Sequence, residues 1–81
     1  MKYKKGDVLV YKNNPTLFYI FYDHIPGWQS DEDGKYVPVY ALYNLSGDSI
    51  METEKWLDKD YELVPEPQAS AIKVLFGFKG D

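Results

Sequence analysis

Thr16-Leu17-Phe18-Tyr19-Ile20-Phe21-Tyr22-Asp23 is the stretch whose reading decides the fold. Of the six apolar residues from Leu17 to Tyr22, five are aromatic or β-branched, which favours a strand over a helix. With a side-chain period of two, Leu17, Tyr19 and Phe21 fall on one face and Phe18, Ile20 and Tyr22 on the other. Both faces are apolar. Such a strand is either central in a small barrel or covered outside by a partner or by another segment of its own chain.

Working outward, turn residues divide the rest into short intervals rich in Val, Ile, Tyr and Phe. Lys5-Gly6-Asp7 leads into a first strand over Asp7–Tyr11, and Asn13-Asn14-Pro15 turns the chain into the deciding strand, Thr16–Asp23. His24–Lys35, with Pro26, Gly27, Ser30 and Gly34 among acids, reads as a long loop. Tyr36–Leu45 reads as a third strand whose Pro38 cannot donate a ladder bond and so belongs at an edge or a bulge. Ser46-Gly47-Asp48 is a hairpin turn returning through Ser49–Thr53. Thr53 then caps one helical turn near 54–59, with Trp56 and Leu57 turned inward. Tyr61–Val64 is a short strand stopped by Pro65-Glu66-Pro67, and Ala69–Phe78 reads as an additional strand. The expectation is an all-β (mainly β) single domain over 1–81, with five or six strands. Residues 68–81 would form an added C-terminal strand or a dimerisation arm.

The chain has 81 residues, of which 44% are hydrophobic and 17% aromatic, a composition that excludes intrinsic disorder. It has no Cys and a single His, His24, which excludes disulfides, thiol nucleophiles and multi-histidine metal sites. No apolar run suffices to cross a bilayer, and the basic stretch Met1–Gly6 has no apolar region behind it, so neither a membrane partner nor a targeting signal is expected. The expected location is cytoplasmic.

Net charge is −4. Basic residues dominate up to Tyr22 and acids dominate from Asp23 to Glu66. All nine cations are Lys, so the Arg that grips phosphate and guanine is missing. Direct nucleic-acid binding is disfavoured.

The short strands, the tight hairpin after the third and the one-turn helix before the last resemble a Src-homology-3-like (SH3-like) barrel. Lys5-Gly6-Asp7-Val8-Leu9-Val10 resembles the opening of the KOW and Tudor-like kinds, and Leu57-Asp58-Lys59-Asp60-Tyr61-Glu62-Leu63-Val64 resembles their helical turn and closing strand. The acidic loop Asp31-Glu32-Asp33 and the Tyr-rich strands fit, but the adjacent Trp pair of proline-peptide binders is missing. The make-up is also similar to accessory proteins of bacteriophages infecting Gram-positive bacteria, which would place the chain in the host cytoplasm.

Catalytic, cofactor and metal residues are each read as none. Asp23 and His24 are adjacent in sequence, but neighbours along extended chain point to opposite faces, and His24 reads as a loop-entry residue. Asp31-Glu32-Asp33-Gly34 lacks the ligand spacing of a calcium loop. The positive signal is the aromatic surplus: fourteen rings exceed what so small an interior encloses, and exposed Tyr and Trp mark binding surfaces. The expected protein-binding residues are Trp28, Tyr36, Tyr40 and Tyr43 with the acids Asp31, Glu32, Asp33, Glu52, Glu54 and Asp58. Trp28 either joins this patch or plugs its loop to the barrel.

The function so implied is a non-enzymatic protein-binding module or inhibitor that recognises the basic surface of another protein through Tyr-rich and acidic patches. Two alternatives stand beside it. One is an acidic nucleic-acid mimic, with Asp48, Glu52, Glu54, Asp58, Asp60 and Glu62 in place of phosphates. The other is a self-assembling subunit, a homodimer through the C-terminal segment.

Overall fold

A computed structural model describes residues 2–30, 34–44 and 46–77, with the side chains of 26–30 outside the description. The elements are β1 (Val8–Tyr11), β2 (Asn14–Ser30), β3 (Tyr36–Asn44), β4 (Ser49–Thr53), α1 (Glu54–Asp60), β5 (Tyr61–Leu63) and α2 (Gln68–Phe76). All strands pair antiparallel in one sheet of order β4-β3-β2-β1-β5. The chain is mainly β as expected. Among the described residues β4 and β5 are edges that do not pair with each other, so the sheet is not closed.

The two apolar faces of β2 give the sheet two cores. On one face Leu9, Tyr19, Phe21, Tyr40 and Leu42 pack with Tyr3 and Leu57. On the other, Val8 and Ile20 pack with Ala69, flanked by Phe18, Tyr43, Val64, Ile72 and Phe76. Ile20, Leu9, Leu42 and Leu57 are fully buried, each worth about 1.5–3 kcal/mol relative to exposure. The second face is thus covered by a segment of its own chain.

That segment is a helix, which corrects the expected C-terminal strand. Pro65 and Pro67 end β5, and the carbonyls of Pro65 and Pro67 accept the Ala69 and Ala71 N–H groups (3.0 and 3.2 Å). The Glu66 carboxylate accepts the Ser70 N–H (2.8 Å) and hydroxyl, satisfying donors that a helix start otherwise leaves orphaned. Gly77, at φ 70°, takes the left-handed position that closes the helix. Ala69, Ile72 and Phe76 recur at helical spacing and face the sheet.

The second correction concerns 24–35. Instead of a loop starting at His24, β2 runs on to Ser30 and pairs with β3 through His24↔Tyr40, Ile25↔Val39, Gln29↔Val37 and Ser30↔Tyr36. Pro26-Gly27-Trp28 oppose Pro38 at a register shift, because two prolines remove ladder donors. Val39↔Thr53 is the last β3–β4 pair. Past it β2 and β3 continue together as a two-stranded arm.

The local turns are as read. In the β3–β4 hairpin the Asn44 side-chain oxygen accepts the Ser46 and Asp48 N–H groups (both 3.0 Å), and Gly47 sits at φ 85°. Thr53 caps α1, its hydroxyl accepting the Trp56 N–H at 3.4 Å. Leu57 is buried as expected, but Trp56 is not core: it is 41% exposed, with the Lys59 ammonium 4.7 Å from its ring. Of the two adjacent residues on this short helix, Leu57 takes the inward place.

Candidate functional site

The expected binding residues fall mainly in two places, with Glu52 and Tyr43 outside both. Tyr40, Glu54 and Asp58 meet beside α1. Glu54 and Asp58 are four apart, so both carboxylates project from one side of the helix. The Tyr40 hydroxyl donates to Glu54 Oε1 (2.6 Å) and the Tyr3 hydroxyl to Asp58 Oδ1 (2.6 Å). Lys2 closes the group: its ammonium donates to Asp58 Oδ1 (2.8 Å) and its backbone N–H to Glu54 Oε1 (3.2 Å). The Tyr3 and Tyr40 rings meet edge to face at 5.4 Å and 87°.

This arrangement corrects the expectation for Tyr40, which is 1% exposed and cannot serve as a free surface ring. It lies where β3 is flanked on both sides, by His24 of β2 and Glu52 of β4. Burial, then the Glu54 hydrogen bond and charge, push its phenol up to about 12, and burial with Asp58 pushes Tyr3 up as well. Asp58 is held below the usual carboxylate range, first by its hydrogen bond from Lys2 and then by that from Tyr3. No buried side-chain nitrogen or oxygen among the described residues lacks a partner. Lys2 and Tyr3 were not legible as site residues; the one available signal was the four-residue spacing of Glu54 and Asp58.

Glu52 is elsewhere, half-buried on β4 and opposite Tyr40. Burial, then the charge of Asp60, raise its carboxyl. Near it Tyr61 packs against Tyr11 (5.2 Å) and Tyr19 (5.6 Å), and its phenol is raised mainly by burial. Of the acids expected to stand in for phosphates, Glu54 and Asp58 are engaged by Lys2, Tyr3 and Tyr40, and Glu52 is half-buried.

Tyr43 sits on the opposite face, half-buried between Tyr22 (5.4 Å) and Phe76 (5.7 Å). Tyr22 is exposed and its hydroxyl lies 3.1 Å from Ser49 Oγ.

The second place is the arm. Tyr36, beyond the last β3–β4 pair, is 72% exposed, and Pro38 is exposed beside it. Trp28 lies on the β2 side with its side chain outside the description, and Asp31, Glu32 and Asp33 fall outside the described residues. Of the twelve aromatic side chains described, Tyr3, Tyr19, Phe21 and Tyr40 are buried, whereas Tyr22, Tyr36 and Trp56 are exposed.

Asp23 accepts the His24 backbone N–H (2.8 Å) and faces Lys5 at 3.8 Å. Among the described residues no group of three His, Cys, Asp or Glu is placed to hold a metal ion, and no helix is long and apolar enough to cross a membrane. Comparison of the chain with protein-family models, with characterised proteins and with solved structures finds no match.

Proposed function

We propose that this chain is a non-enzymatic protein-binding module of the SH3-like kind, which recognises a basic surface of another protein through its β2–β3 arm. The tight β3–β4 hairpin and α1 ahead of β5 support the SH3-like reading. So does the position of Glu52 on β4, where the charge of Asp60 at the end of α1 helps to raise its carboxyl. The observation that carries the functional reading is Tyr36, 72% exposed on a ribbon that no third strand flanks among the described residues. A two-stranded ribbon is of marginal stability alone, and an exposed tyrosine supplies contact area at low conformational cost. Asp31, Glu32 and Asp33, adjacent in sequence, steer and select a cationic partner.

The test is capture from a bacterial lysate on immobilised chain, at low and at high salt. The wild type retains a partner at high salt, as aromatic anchoring requires, and Tyr36→Ala loses it. Replacing Asp31, Glu32 and Asp33 by their amides weakens capture chiefly at low salt. Unchanged capture by Tyr36→Ala refutes the reading.

A further inference from the structure

The side of α1 that bears Glu54 and Asp58 is covered by Lys2 and Tyr3 of the same chain. We infer that this surface is a second docking site, built for a lysine followed by a tyrosine in a partner protein. In the isolated chain, Lys2 and Tyr3 occupy it as an intramolecular stand-in.

The contacts are those by which a protein reads a short segment. Asp58 accepts the Lys2 ammonium at 2.8 Å and the Tyr3 hydroxyl at 2.6 Å. Glu54 accepts the Lys2 main-chain N–H at 3.2 Å and is itself held by the Tyr40 hydroxyl at 2.6 Å. The Tyr3 ring is 4% exposed, set edge-on against Tyr40 and packed in the cluster with Leu57. An ammonium on a carboxylate, a main-chain donor and an aromatic anchor in an apolar seat together make a recognition site rather than a cluster of acids. The occupant shows what the seat accepts.

The segment is also positioned to leave. Residues 2–5 belong to no strand or helix. The chain is anchored just behind Lys2 and Tyr3, where Lys4 and Asp7 close a turn (2.9 Å) and the Gly6 N–H donates to the Phe21 carbonyl (2.9 Å). Withdrawal of the segment up to that anchor breaks no ladder pair of the sheet. A tether this short gives the stand-in an effective concentration in the millimolar range. A partner segment displaces it only when further contacts, such as those of the arm, add to its affinity, so the strap filters out weak basic ligands.

The probe is a fluorescein-labelled peptide with the sequence of residues 2–7, Lys-Tyr-Lys-Lys-Gly-Asp, titrated into the full-length chain. Tyr3→Ala, which vacates the seat, binds the peptide at least tenfold more tightly than wild type, and adding Asp58→Asn returns binding to the wild-type level. Equal affinity for Tyr3→Ala and wild type overturns the proposal, as does binding to Tyr3→Ala that survives Asp58→Asn. If circular dichroism shows Tyr3→Ala unfolded, the wild-type chain is titrated with unlabelled peptide and followed by NMR. Peptide at about millimolar concentration then shifts the Lys2, Tyr3 and Asp58 signals together, and their constancy overturns the proposal.

Discussion

Tyr40 and Tyr36 stand on the same strand, one in the body of the sheet and one in the arm. In the body, β3 is flanked by β2 and β4, and the Tyr40 ring lies at 1% exposure with its hydroxyl on Glu54. In the arm β4 has already ended at Thr53, and Tyr36 is 72% exposed. The difference teaches that residue type does not assign a role here. The end of one neighbouring strand does: where a third strand is present a tyrosine becomes core, and where it stops a tyrosine becomes surface. Glu54 and Asp58 are engaged inside the body's clasp.

The largest effect is expected at the buried ring. Tyr40→Ala should lower unfolding free energy by about 3–5 kcal/mol, read from urea denaturation, as for other large aromatic truncations in cores. A loss comparable to that of Tyr36→Ala would erase the distinction between body and arm. Next comes the second core. Ile72→Ala, on the face of α2 that covers Val8 and Ile20, should cost about 2 kcal/mol. A negligible loss would mean that α2 does not cover the sheet.

The clasp should also make the body sensitive to alkali. Phenols whose folded pKa is raised stabilise the native state fully below the unfolded value near 10, and that contribution is lost as pH rises through the folded value. With Tyr40 pushed up to about 12 and Tyr3 raised alongside it, stability should fall as pH climbs from about 10 to 12. Tyr40→Phe should flatten part of that fall, measured by thermal unfolding across pH. The smallest effect on stability belongs to the arm: Tyr36→Ala should leave unfolding free energy within about 0.5 kcal/mol of wild type.

How much of this was legible in the sequence depends on the range of the cause. β1, β3, β4 and the Thr53-capped α1 are set by neighbours a few residues away, and their places could be read closely. The two-sided apolar pattern of Leu17–Tyr22 correctly required a cover on each face but could not say which segment supplied it. The apolar run after Pro67 hid a helix, because inward Ala69, Ile72 and Phe76 alternate with outward Val74 and Leu75, at 78% and 72% exposure. Together they mimic a continuous strand-like run. The extension of β2 through Pro26-Gly27 was masked by its turn residues, since pairing with β3 overrides local preference there. Tyr36 is exposed as expected and Tyr40 is buried instead, because burial depends on where β4 ends, a fact no local pattern encodes.

The most direct test of the arm as the contact surface places a photo-crosslinking phenylalanine analogue at Tyr36 in one preparation and at Tyr22, exposed on the sheet body, in another. Illumination in bacterial lysate should yield a discrete covalent adduct with one protein from position 36 and none from position 22. An adduct from 22 with none from 36 would contradict the assignment of binding to the arm.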